Sequence, residues 1–97
     1  MRAFEPRDVQ ALLDVVDSIT ARVGTYGFLG SVKDLSGAGE PDFALDFLIN
    51  GLRGWQLEIS PDESGVLQTL CHTWDAVDLI DDLEALVVQD SPTDLQP

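Results

Sequence analysis

Basic residues are scarce in this chain. Four arginines and a single lysine stand against 18 acids, for a net charge of −13 over 97 residues. That balance argues against direct contact with nucleic-acid phosphates and against docking on an anionic membrane surface. Cysteine occurs once, at Cys71, so no disulfide can form within the chain and a cysteine-built zinc site is excluded; a reducing, cytoplasmic setting is expected. Histidine also occurs once, at His72. No apolar run approaches the roughly 20 residues of a membrane span. The first residues, with Arg2, Glu5, Arg7 and Asp8, lack the apolar core of a signal peptide.

Hydrophobic residues make up 44% of the chain, enough for a packed core. The length suits one domain, expected over 1–90, with 91–97 as a flexible tail holding two prolines. A chain this short buries only roughly 60–65% of its unfolded surface, so its stability is expected to be modest.

The first helix has clear punctuation. Pro6 suits a first-turn position, Glu5 and Asp8 suit the positive end of the dipole, and Gly24 can close the helix. Between them Val9, Leu12, Leu13, Val16, Ile19 and Val23 follow helical spacing. The next segments read as strands. Tyr26–Asp34 is a candidate first strand and Leu35–Pro41 a loop. Phe43, Leu45, Phe47 and Ile49 then alternate, as do Trp55, Leu57 and Ile59, with Asn50-Gly51 between them as a hairpin signal. A two-residue turn would put the two apolar sets on opposite faces, so a longer loop is expected, pairing Phe47 with Trp55. Ser60–Gly65 reads as a turn and Val66–Thr73 as a further strand. Ser60-Pro61-Asp62-Glu63 also matches a helix capping box, a competing reading weakened by Gly65, Thr69 and Thr73.

A second helix is expected from Thr73 or Trp74 to Val88. Its stripe of Ala76, Ile80, Leu83 and Val87 is widened by Val77, Leu79, Leu86 and Val88 to about half the circumference, broad enough to suggest a homodimer through this helix. The resulting expectation is an α+β two-layer sandwich: an N-terminal helix, three or four antiparallel strands and a C-terminal helix.

Catalytic groups are sparse. Cys71 and His72 are neighbours and would point to opposite faces of a strand, a poor geometry for a nucleophile and its base. Asp78, Asp81 and Asp82 could hold magnesium only loosely through water, and Asp62-Glu63-Ser64-Gly65 lacks the pattern of a calcium loop. Neither enzymatic activity, a metal nor a cofactor is therefore expected.

The charge distribution is more informative. Arg53 is the last basic residue, and ten acids follow it with no lysine or arginine among them. On a continuous helix Asp75, Asp78 and Asp82 would form one row with Asp81 beside it, and such a row resembles a phosphate backbone. The expected partner-binding residues are Trp74, Asp75, Asp78, Asp81 and Asp82, together with Glu58, Asp62 and Glu63. Exposed apolar residues near Trp74 would supply the anchor. The function expected is an acidic inhibitor that occupies the basic, nucleic-acid-binding surface of a partner, of the nuclease-immunity, anti-CRISPR or DNA-mimic type. The alternative is a dimeric adaptor or chaperone that holds a segment of a secreted or phage protein.

Overall fold

The computed structural model describes residues 4–87. These residues form five α-helices: α1 (Pro6–Val23), α2 (Gly27–Gly37), α3 (Pro41–Trp55), α4 (Pro61–Thr73) and α5 (Ile80–Leu86), with a single 3₁₀ turn at Val77–Leu79 before α5. The expected α+β sandwich is therefore wrong; the fold is all-α. Among the described residues the only β pairing is one isolated parallel bridge between Ile59 and Val87, in which the Ile59 amide donates to the Leu86 carbonyl. The expected tail 91–97 lies outside the described residues.

α1 follows its sequence signals, starting at Pro6 and closing at Gly24 with φ of 94°. Of the four segments expected as strands, 26–34, 43–49 and 66–73 lie almost wholly in α2, α3 and α4, while 55–59 is the end of α3 and its connection to α4, where Ile59 makes the isolated bridge. The alternation from Phe43 to Ile49 is two helical rows interleaved. Leu45, Leu48, Ile49 and Leu52 are fully buried on one side of α3, while Phe43 and Phe47, one turn apart, face outward. Asn50-Gly51 lies inside α3 and makes no hairpin. A Cβ at Gly51 would sit 2.2 Å from a ring carbon of Phe28, so glycine is what lets α2 approach α3 so closely.

The 66–73 region belongs to α4, and the capping box decides it. The Ser60 hydroxyl accepts from the Glu63 amide at 3.1 Å, and the Glu63 carboxylate accepts from the Ser60 amide at 2.9 Å. Two orphan donors are thereby satisfied, which outweighs the weak helix formers within the segment. Between α3 and α4, Gln56 adopts a left-handed conformation with φ of 56°. Its amide returns to Arg53 and that of Leu57 to Leu52, the paired bonds of a Schellman closure.

The expected long C-terminal helix is broken. Asp75 takes φ of 58°, which ends α4 and offsets α5 from it. Most of the wide apolar arc is used within the chain: Leu83 is fully buried, and Ala76, Leu79, Ile80, Leu86 and Val87 pack against the core, while Val77 is exposed and Val88 lies outside the described residues. One core collects residues from every helix, with α2 lying mainly on α3 and α1 mainly on α4.

Candidate functional site

The break after α4 brings two acidic segments together. The turn that follows α4 lies against the N-terminal half of α3, and a groove of about 480 Å³ opens between them. Glu40, Asp42 and Asp46 line it from the α3 side, Asp75 and Asp78 from the turn. Phe43, Trp74, Ala76 and Leu79 supply its apolar part, and among the described residues no lysine or arginine lines it. Asp42 accepts from the Phe43 amide and Asp46 from the Asn50 side chain, so both carboxylates are held near the backbone.

Three basic residues are engaged elsewhere. Arg22 pairs with Glu63, Lys33 with Asp17 at 2.7 Å, and Arg53 with Asp82 at 3.5 Å. The charged residues described as lining the groove are all acids. Among the described residues no three His, Cys, Asp or Glu side chains converge as metal ligands would. The charge is therefore spread along the groove, an arrangement suited to several cations on an extended surface more than to one small ion.

The expected site residues fall in three places. Asp75 and Asp78 are exposed in the acidic groove. Trp74, read as the neighbour of an exposed anchor, is itself only 5% exposed and packs edge-on against Phe4, with ring centroids 5.6 Å apart. Asp81 is exposed in the first turn of α5. Asp82 pairs with Arg53 and, with Glu58, lines a separate groove floored by Leu57 and Leu86. Asp62 lines a third groove, between α1 and α4.

Glu63 is a structural residue. It is buried, accepts from the Ser18 hydroxyl at 2.6 Å and from Arg22, and completes the cap of α4. Asp75, Asp78 and Asp82 do not form one helical row, because Asp75 precedes the 3₁₀ turn and only Asp82 belongs to α5. The residues that sequence reading missed are Glu40, Asp42, Phe43 and Asp46. Read as strand and loop, they gave no sign of meeting the later acids.

Cys71 is buried in α4, and His72 is exposed beside it. Burial pushes the Cys71 thiol up to about 11, with the Asp78 carboxylate adding in the same direction. A thiol so held stays protonated near neutral pH and is a poor nucleophile. No helix among the described residues is long and apolar enough to cross a membrane.

No protein-family model, curated protein or solved structure matches the chain.

Proposed function

We propose that this protein is an inhibitor that binds, through the groove between α3 and the post-α4 turn, a basic surface with which its partner would otherwise contact nucleic acid. The observation that carries this reading is the groove itself: five carboxylates from two separated segments meet on one face, while Arg22, Lys33 and Arg53 pair with other acids. Bringing like charges together costs folding free energy, which a cationic partner would recover. Short aspartate side chains supply four of the five acids, so their positions are more fixed than those of long flexible ones. A cytoplasmic setting belongs to the same proposal, as does a binding and not a catalytic role. The buried, protonated thiol of Cys71 supports the latter. The adaptor reading has less support, since most of the apolar arc that suggested a dimer packs within one chain.

The test is inhibition of a set of basic nucleases and nucleic-acid-binding effector complexes, with DNA as competitor, at low and high salt. The triple variant Asp46→Asn/Asp75→Asn/Asp78→Asn is compared with Asp8→Asn/Asp14→Asn/Asp34→Asn, which removes the same charge elsewhere. The groove variant should lose inhibition at least tenfold while the control keeps it, and added salt should weaken the wild type. Absence of inhibition across the set, or equal losses in both triples, ends the reading.

A further inference from the structure

An aromatic ridge runs along α3 beside the acidic groove. Phe43, Phe47, Gly51 and Trp55 are spaced by four residues and so form one ridge of the helix surface. At Gly51 the ridge lacks a side chain of its own, and the ring of Phe28 from α2 occupies that place. Tyr26 continues it, 6.1 Å from Phe28 and 5.1 Å from Trp55 between ring centroids. Five of the chain's seven aromatic residues therefore line one side. Three of them remain open to solvent: Phe43 is 53% exposed, Phe47 37% and Trp55 61%.

We infer that this ridge is the docking face for an amphipathic basic helix of the partner, whose cations lie toward the Phe43 end. The inference rests on the reading above, that the partner is basic, and adds what the partner must present. A row of aromatics at four-residue spacing packs against the grooves of another helix. α3 has 15 residues, about 22 Å of axis, long enough for four turns of a partner to lie along it. Gly54 offers no obstruction beside the ridge, since a Cβ there would meet nothing within 4 Å.

Charge complementarity selects the occupant. Phe43 belongs both to the ridge and to the groove lined by Glu40, Asp42, Asp46, Asp75 and Asp78. A second copy docked in parallel would bring the same acids against them, and in any orientation two chains of net charge −13 repel. A helix with leucine-type residues on one face and arginine or lysine along its flank satisfies both features at once.

The probe is a synthetic 18-residue helical peptide carrying leucines at i, i+4, i+7 and i+11 with lysine and arginine alongside, paired with an equally charged peptide whose leucines are glutamines. Affinity is measured by titration calorimetry and by the emission of Trp55, with Trp55→Phe as the assignment control. The leucine peptide should bind at least tenfold more tightly and shift Trp55 emission to the blue. Phe47→Gln should abolish that advantage while leaving the glutamine peptide unaffected, and Phe43→Gln, at a residue that also lines the groove, should abolish the advantage too. Equal binding of the two peptides, or an advantage indifferent to both substitutions, overturns the ridge. So does a wild-type dimer at micromolar concentration that Phe47→Gln dissociates. The groove triple variant should weaken both peptides alike. If it changes neither while Phe47→Gln still acts, the acidic-groove reading fails and the ridge stands.

Discussion

The guanidinium of Arg22, near the end of α1, closes on the carboxylate of Glu63, in the first turn of α4, and also donates to the Glu58 carbonyl at 3.0 Å. The same carboxylate caps its own helix and accepts from Ser18. One buried acid thus joins two helices that are 41 residues apart in the chain at this pair.

Glu63→Gln should destabilise the protein by about 1–3 kcal/mol in urea unfolding. Breaking a buried pair can cost more, but Arg22 is 39% exposed and solvent screens part of the interaction. A double-mutant cycle with Arg22→Met should show coupling of about 1 kcal/mol. Strict additivity would mean that the pair contributes nothing beyond its separate contacts.

Two glycines should respond in opposite directions. Gly51→Ala forces a Cβ into the Phe28 ring and should cost about 1–3 kcal/mol. Gly30→Ala, inside α2 with nothing within 4 Å of the new carbon, should stabilise by about 0.5–1 kcal/mol. Thermal melts of the two variants check the pair, and the same sign in both would contradict the close approach of α2 and α3.

Alkaline pH should weaken the fold through Cys71. Its thiol lies at about 11 in the folded protein, against 9.0 for the exposed group. The native state therefore keeps a proton that the unfolded chain releases. Stability from this source is complete below pH 9 and is lost as pH rises toward 11. Urea midpoints between pH 8 and pH 10.5 should fall, and Cys71→Ala should flatten that slope whatever it does to absolute stability. Ellman's reagent should react with Cys71 only at the rate of unfolding.

Crowded charge should make the wild type gain stability with salt. Raising sodium chloride from 10 mM to 500 mM should raise the melting temperature, and the groove triple variant should gain less. Asp75→Asn should itself be neutral or mildly stabilising, because asparagine tolerates the left-handed backbone that Asp75 adopts at φ of 58°. A wild type indifferent to salt would show that its carboxylates do not repel one another appreciably.

Local signals were legible where chemistry is local. Pro6 and Gly24 delimit α1, and Ser60 with Glu63 marks the start of α4. The error over residues 42–49 has a simple origin. A buried row at 45, 48, 49 and 52 and an exposed row at 43 and 47 together put an apolar residue at every second position, and a strand does the same. Asn50-Gly51 reinforced the mistake, because the demand on Gly51 comes from Phe28, a residue 23 positions earlier. The acidity of the second half was visible from composition. Its convergence with Glu40, Asp42 and Asp46 depends on how α3 meets the end of α4, and no local spacing encodes that.

The fastening at the head of α4 reaches further than its own contacts. Ten residues of helix, about 15 Å, separate the Arg22–Glu63 clasp from the turn that carries Asp75 and Asp78. α4, packed along its length through Leu67, Leu70 and Cys71, acts as a rigid arm that passes a shift at its root on to its tip. Substitutions at Ser18 or Arg22, which touch no part of the groove, should then surface in a genetic screen for lost partner recognition, and compensating changes should cluster at the root of the arm.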